Sequence, residues 1–575
     1  MNSLFIICGD TERDLNEFSN IVVLCPIRSH KLEKIGIQNH LFGDFSPSLD
    51  DGKHLDIQWM EKLEDCLYEE HVRNPALKWA ILFINPIWRK FYRYLWLKEC
   101  FKNILARFKP DEIFLTSNKD KDLVFALSAV LNDKIILNID SADTDYMVDK
   151  HHLLSIFLPY YIDSKFLVWV YWKMAIRIKK NTKVLFQPYW NLGGNTDSNI
   201  SNSFNLHRSI GLFSRVKMKI LAAFNINKEY RDLIEIDIDR SHSTLLTEHI
   251  WQDTSEDERV VINSIMYSIK KLMPLKKVDE IVENLSTVFS VIKPLRIILF
   301  DDKIDINRLQ AYVAHKHNMA VDYLPHGLIE EHVSIVRKNS SFLPDRMLAW
   351  SHYSQEAFQK LGWSSIAVRH PHLQRRIAPL KPLGKNWSDV KVIVPTYDWQ
   401  ITISGREDCL ARNIIEILKC TSTLGIKGEN VHVKSHPVGT KSRSRQQDLP
   451  KIEVLVRIKE EMGIDFTTLD TQLRLEEILS DYDLAIVGNG TPAYLSILYG
   501  IPIVVFGVSP NYIGGFGKKS LPFALTGSEL LERLTQYDNE EVAGIYRDLS
   551  ESLQSGRDIM EILVEDIANT ESNNK

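Results

Sequence analysis

Several short clusters in the chain join chemistry-bearing residue types to turn signals. Thr396 in Pro395-Thr396-Tyr397, the run Lys434-Ser435-His436-Pro437, and Asn489-Gly490-Thr491 each follow a short apolar run of strand type. Lys434 offers a point charge and His436 a directional donor, both suited to phosphate. Thr491 and the Asn489–Thr491 backbone stand at a helix start, where free N–H groups favour an anion. No G-x-x-x-x-G-K-[ST] occurs, so these residues do not form a P-loop. Earlier in the chain Asp301-Asp302 and His326-Gly327 end two other apolar runs. A carboxylate at a cleft mouth can act as a general base or attack an electrophilic carbon. Asp301 or Asp302 is equally suited to capping the helix that starts near Ile306. His326 fits a satisfied loop histidine, but the adjacent Gly327 permits close approach of a ligand and favours function.

The elements that must position these residues are legible around Leu484–Gly507. Leu484–Val487 reads as a strand and Gly488–Thr491 as a turn. Thr491 is a good N-cap and Pro492 fits only the first position of a helix. Gly500 stops that helix, and Ile503–Phe506 is the next buried strand. This β-α-β unit has its glycine-rich turn at the carboxyl end of a strand, where open α/β sheets bind ligands. Lys391–Val394 and Val431–Val433 supply two further strands of the same domain. In a parallel sheet the three turns share one edge and can converge on one ligand.

The rest of the chain alternates in the same way. Leu4–Cys8, Ile21–Cys25, Ile113–Thr116 and Lys134–Asn138 read as strands, with helices over Gln58–Glu70, Trp79–Phe108 and Asp120–Leu131. Strands return at Leu295–Phe300, Ala320–Tyr323, Met347–Trp350 and Ile366–Val368. The pattern predicts an α/β protein with two Rossmann-like domains. The first covers 1–378 and carries a helical insertion at about 150–290. Pro379–Pro382 with Gly384 forms a linker. The second domain covers 385–545, and a C-terminal helix and disordered tail occupy 546–575.

With 575 residues, 44% apolar and 25% charged, the composition is that of an ordinary globular protein. A net charge of −5 gives no reason to expect nucleic acid. The six cysteines form no CxxC and read as reduced thiols of a cytoplasmic protein. No signal peptide or spanning helix is expected. Asp143-Thr144-Asp145 and Asp237-Ile238-Asp239 match a D-x-D metal motif, but solvated loop acids are the commoner source of such matches. The aromatic and basic stretch within 157–183 fits a segment lying on anionic headgroups. A buried helix with a solvated basic tail fits it too, and is favoured because core helices are commoner.

These residues carry a resemblance. Tyr323-Leu324-Pro325-His326-Gly327, Pro344-Asp345 before Leu348-Ala349-Trp350-Ser351, Val433-Lys434-Ser435-His436-Pro437, and GNGTPAYLSILYGIPIVVFG with Tyr512 beyond it resemble GT-B glycosyltransferases. More narrowly they are similar to bacterial capsule and surface-polysaccharide transferases, including Kdo transferases and teichoic-acid-type polymerases. The resemblance covers roughly Leu295–Gly517. It implies transfer of a glycosyl group from a nucleotide sugar onto a glycan or lipid-linked acceptor, with no essential metal and no cofactor beyond the donor itself. His436 and Thr491 would contact the cytidine monophosphate of a CMP-linked Kdo or sialic-acid-like donor. Lys434, Ser435, Pro437, Thr396, Asn489 and Gly490 would complete the donor site, with Asp301, Asp302 and His326 catalytic. The acidic motif of sialyltransferases with its trailing glycine is absent, because Lys303 follows Asp302. A CDP-glycerol or polyol-phosphate transferase and a non-catalytic GT-B-like scaffold are the alternatives. The expected location is the cytoplasm, with peripheral inner-membrane contact through 157–183 as the alternative to a buried helix there.

Overall fold

A computed structural model describes residues 2–7, 13–46, 55–116, 121–132, 134–139, 184–186, 201–203, 238–272, 275–299, 305–325, 341–360, 362–369, 378–384, 386–396, 409–434, 454–470, 473–488, 491–507 and 521–573. It is an α/β structure in which the described strands form three parallel sheets. The first sheet contains β1 (Ser3–Ile7), β2 (Asn20–Val23), β3 (His40–Leu41), β4 (Glu112–Leu115) and β5 (Ile136–Ile139), in the order β3-β2-β1-β4-β5. Leu4–Ile7 are fully buried, as expected where helices cover both faces of a parallel sheet. Its helices are α1 (Pro26–Lys34), α2 (Leu55–Arg73), α3 (Ile84–Phe108) and α4 (Lys121–Ser128). The expected helix Trp79–Phe108 is divided. A 3-10 turn at Ala80–Phe83 precedes α3, and Pro86 then falls in the first turn of α3, where its missing N–H removes no intrahelical bond.

The second sheet contains β6 (Val184–Phe186), β7 (Ser201–Ser203), β8 (Arg296–Leu299), β9 (Ala320–Tyr323), β10 (Arg346–Ala349) and β11 (Ser365–Ala367), in the order β11-β10-β9-β8-β6-β7. Helices α5 (Glu256–Leu272), α6 (Leu275–Ile292), α7 (Asp305–Lys316) and α8 (His352–Lys360) accompany it. Two expectations are therefore refined. The strands before residue 378 fall into two sheets, and the stretch read as a helical insertion at about 150–290 supplies β6 and β7 as well as helices. β7 also begins inside the glycine- and asparagine-rich run Leu192–Asn202, which reads as a loop.

The third sheet contains β12 (Val392–Pro395), β13 (Val431–Lys434), β14 (Thr467–Leu469), β15 (Leu484–Val487), β16 (Ile503–Phe506) and β17 (Phe523–Ala524), in the order β14-β13-β12-β15-β16-β17. Its helices are α9 (Cys409–Thr423), α10 (Leu475–Ile478), α11 (Thr491–Leu498), α12 (Gly527–Thr535) and α13 (Asn539–Gln554), followed by α14 (Ile559–Asn573). The two faces of this sheet alternate along each strand, as strand geometry requires. Val394, Ile486 and Phe506 pack with Ile414 of α9. Ile393, Val487 and Val505 pack with Tyr494 of α11.

The layers are joined by buried side chains. Leu4 and Ile6 of the first sheet share one cluster with Ile265, Leu285 and Val321 of the second sheet's layers. Leu324, Trp350 and Val368, at the carboxyl ends of β9, β10 and β11, share another with Val487, Ala493 and Tyr494. Helix α14 returns to the second sheet. Arg557 forms a parallel bridge with Val368, and Asp566 accepts from Arg346 at 2.6 Å. Arg346 and Arg296 also hold the fully buried Asp322 of β9, at 2.9 and 2.5 Å. On the other side, Ile27 of α1 lies in the α9 cluster, Lys34 donates to the Met462 carbonyl at 3.0 Å, and Arg412 pairs with Asp44 at 2.9 Å.

Candidate functional site

Counted from β12, the third sheet reads 3-2-1-4-5-6, so strand order reverses between β12 and β15. The helices confirm the reversal. The chain leaves β12 for α9 on one face and leaves β15 for α11 on the opposite face. A crevice opens at the carboxyl edge where two such crossovers diverge, and ligands of open α/β sheets bind there.

Three of the expected donor residues are positioned at this edge. Pro395 of β12 is in register with Lys434 of β13. Thr396 donates twice to the Lys434 carbonyl, from its N–H at 2.8 Å and from Oγ1 at 3.3 Å. Both residues are buried. On the other side of β12, the backbone of Thr491 is the first residue of α11, the helix that follows β15. Its termination follows the expected chemistry: Gly500 has φ +67°, its N–H bonds the Ile497 carbonyl at 3.0 Å, and Ile501 N–H bonds Ser496 O at 2.8 Å. The linker runs against this end. Ala378 and Lys381 bond Leu498 O and Gly500 O at 3.0 and 2.7 Å, and a Cβ on Gly500 would come within 3.0 Å of the Pro379 carbonyl carbon.

A small hollow of about 20 Å³ lies at the reversal point. Thr396, Gly488, Asn413, Ile414, Val487 and Phe506 are among its lining residues. Asn413 is a site residue that the motif reading passed over. It lies on α9 in the stripe Leu410, Asn413, Ile414, Ile417, the i, i+3, i+4, i+7 positions that face the sheet. A polar residue on an otherwise apolar stripe was the available signal. Gly507, after β16, presses on it. Its φ is +72°, and a Cβ there would stand 2.9 Å from Asn413 Cγ and 3.0 Å from Oδ1.

Burial pulls the Lys434 ammonium below the usual lysine range, and the carboxylates of Asp470 and Glu476 partly oppose that shift. Asp470 follows β14 and Glu476 lies in α10, so the edge carries a buried cation with acids at its solvent side. An anion brought to this edge would relieve the desolvation of Lys434.

Asp301, Asp302, His326, Ser435, His436, Pro437, Asn489 and Gly490 lie outside the described residues, as do Asp143, Asp145 and the segment 157–183. The strand ends that lead into the first of these are described. β8 ends at Leu299, and β9 continues through Leu324 to Pro325, whose carbonyl accepts from Trp350 Nε1 at 2.9 Å. Leu324 belongs to the cluster that contains Ala493 and Tyr494 of α11, so the end of β9 and that helix share a core. Asp239 of the second D-x-D match accepts from Ser241 N–H at 2.8 Å, a local turn rather than a ligand arrangement. Cys25, Cys66, Cys100 and Cys420 are buried and form no disulfide, and burial raises Cys66 to about 11 and Cys420 to about 12. Neither is a reactive thiolate at neutral pH. Among the described residues no helix is long and apolar enough to cross a membrane.

Fold and site together define a doubly wound parallel α/β protein with a crevice at the reversal point of its third sheet. No protein-family model matches the chain, and no curated protein matches it by sequence. Among solved structures it is similar to α,α-trehalose 6-phosphate synthase from Burkholderia multivorans, with 10% identity, a TM-score of 0.35, and 53% of this chain and 78% of that chain covered. It is similar to UDP-GlcNAc 2-epimerase from Methanocaldococcus jannaschii in complex with UDP-GlcNAc and UDP, with 11% identity, a TM-score of 0.32, and 46% and 75% covered. It is also similar to the apo lipopolysaccharide outer core galactosyltransferase WaaB, with 12% identity, a TM-score of 0.29, and 53% and 83% covered. A likeness of this degree says nothing about activity.

Proposed function

We propose that the chain is a glycosyltransferase that holds the nucleotide of an activated sugar at the carboxyl edge of its third sheet. The observation that carries this reading is the buried Lys434, joined to Thr396 beside the point where strand order reverses. A desolvated cation on the same sheet edge as a helix start suits a phosphate diester better than a neutral ligand. In this reading the donor is CMP-linked, with a Kdo or sialic-acid-like sugar, and the acceptor is a bacterial surface glycan or glycolipid. His436 and Thr491 join Lys434 on the phosphate. Asp301, Asp302 and His326 supply acid and base, and no metal takes part. The support for the donor class is the Lys-Ser-His-Pro run and the glycine-rich turn.

Calorimetry of the full chain with CMP, UDP and GDP tests the reading. CMP binding that Lys434→Met weakens by about 10- to 150-fold is the expected result. UDP binding without CMP binding would remove the donor assignment, and binding of none of the three would remove the nucleotide site. The segment 157–183 brings the enzyme to anionic inner-membrane lipid in the same reading. Equal flotation on anionic liposomes after Lys179, Lys180 and Lys183 are changed to Glu would end that part.

A further inference from the structure

The motif Pro344-Asp345 takes no part in the proposed donor site. It stands where the chain that leaves β9 returns to the second sheet, just ahead of β10. Asp345 is bonded to Val321 of β9 in both directions. Its N–H donates to the Val321 carbonyl at 2.7 Å, and its carboxylate accepts from the Val321 N–H at 2.8 Å. The pairing of β9 with β10 is thereby carried one residue ahead of β10.

Helix α7 holds the same stretch from another side. Tyr312 stacks on Phe342, with ring centroids 4.7 Å apart and 12° between the planes. His315 follows at i+3 from Tyr312, on the same face of the helix. Its Nδ1 lies 2.9 Å from the Ser341 carbonyl oxygen, and its Nε2 lies 3.3 Å from Asp345 Oδ1. Both partners are acceptors with no proton to give. A peptide carbonyl never donates. Burial alone would raise the Asp345 carboxyl, but the bonds from His315 and Val321 hold it below the usual carboxylate range, so it is ionised. A neutral imidazole has one N–H and one lone pair, so it satisfies one of these partners and turns its lone pair on the other. An imidazolium donates to both.

The groups around the ring favour that charged form. Burial alone would lower its pKa, yet the Asp345 carboxylate and the Ser341 carbonyl raise it above the ordinary 6.5. The nearby cations are engaged elsewhere. Lys316 lies over the Tyr312 ring at 4.5 Å, Arg346 is bonded to Asp322 and Asp566, and Arg296 is bonded to Asp322 while also acting on Asp345. Helix α2 brings His71 to Tyr312, and α6 brings Ser286 and Phe289 to His317.

We infer that His315 is a pH-sensitive clamp on the entry to β10: as an imidazolium it ties α7 to both Ser341 and Asp345, and as a neutral imidazole it holds one of them. A group whose folded pKa is raised contributes fully below its unfolded value, and the contribution is lost as pH rises through the folded value. The clamp is therefore closed in mildly acid solution and loosens on the alkaline side. The stack of Tyr312 on Phe342 does not titrate in this range and keeps the stretch seated, so the release is local.

The test is amide hydrogen exchange of the full chain, read in peptides spanning Ser341–Asp345 and Ala320–Tyr323 over a series from about pH 6 to about pH 9, with intrinsic exchange rates divided out. Wild-type protection should fall by about fivefold or more across the series, the worth of one hydrogen bond. His315→Gln cannot titrate and should give a flat profile. Asp345→Asn keeps the ring but removes the charge that favours the imidazolium, and should move the fall to lower pH, so the clamp remains testable even if His315→Gln fails to fold. Wild-type protection that stays flat, a His315→Gln profile that falls like the wild type, or an Asp345→Asn fall at unchanged pH would overturn the inference. None of these readings involves a nucleotide, so any of them would leave the proposed donor site standing.

Discussion

Replacing Lys434 with methionine separates what the residue does for the fold from what it does for the ligand. Lys434 is 2% exposed, and burial is the largest influence on its ammonium, lowering its pKa. The direction fixes the sign. A lysine whose folded pKa lies below its unfolded value disfavours its charged form in the fold, so its contribution improves as pH rises through the folded pKa. Methionine has similar length, no charge and a flexible apolar stem that fits a buried site. At neutral pH the variant should therefore unfold at the same or a higher denaturant concentration than the wild type. Ligand binding should move the other way. A charge-assisted hydrogen bond to phosphate contributes roughly 1.5–3 kcal/mol, which corresponds to a loss of about 10- to 150-fold in affinity. Paired urea titrations and nucleotide calorimetry on the same preparations give both numbers. The same lysine gives a pH signature in the wild type. Affinity should fall as pH rises through the lowered pKa of this lysine, earlier than an ordinary lysine would allow. A variant that loses stability and keeps affinity would refute the reasoning, because Lys434 would then serve the fold and not the ligand.

Asp322→Asn leaves Arg296 and Arg346 facing a neutral amide inside the second sheet, with Asp566 the remaining acid. Breaking a buried pair costs about 3–5 kcal/mol, so urea unfolding should move well down and limited proteolysis should release α14 first. Asp566→Ala, at the more exposed end of the network, should do less. His71 is held down to about 4 by burial, with Lys78 and Lys316 acting the same way. Its folded value lies below the ordinary 6.5, so stability should be lost as pH falls from 6.5 toward 4, by roughly 3 kcal/mol at most. His71→Phe, among the rings of Trp79 and Phe342, should flatten that slope in a pH series of denaturant midpoints. Gly500→Ala must adopt φ +67° beside the Pro379 backbone and should destabilise by more than the roughly 1–2 kcal/mol of the left-handed conformation alone.

The parts of this fold that were legible in the sequence are those whose signals are local. Pro492 at a helix start, Gly500 at its stop and the apolar runs on either side specify the β15-α11-β16 unit without reference to anything distant. The neighbourhood of β13, β12 and β15 followed from the order of the motifs and the habits of parallel sheets. The split of the first 378 residues into two sheets was not legible, because pairing of β8 with β6 rather than with β4 depends on contacts far apart in the chain. β6 and β7 are three residues each, too short for periodicity to show. Asn413 was missed because a single asparagine inside CLARNIIEILKC looks like a tolerated substitution until the sheet behind it is known. Gly507 likewise reads as a strand terminator, and only its approach to Asn413 shows why no side chain fits there.

The central claim is that one ligand meets the ends of β12 and β13 and the start of α11. Hydrogen–deuterium exchange of the full chain, with and without saturating amounts of whichever of CMP, UDP and GDP binds tightest, tests it most directly. Slowed exchange at Thr396, at Lys434, across the first turns of α9 and at the opening of α11 is the predicted result. Protection confined to the first sheet, or none at saturation, would contradict the account.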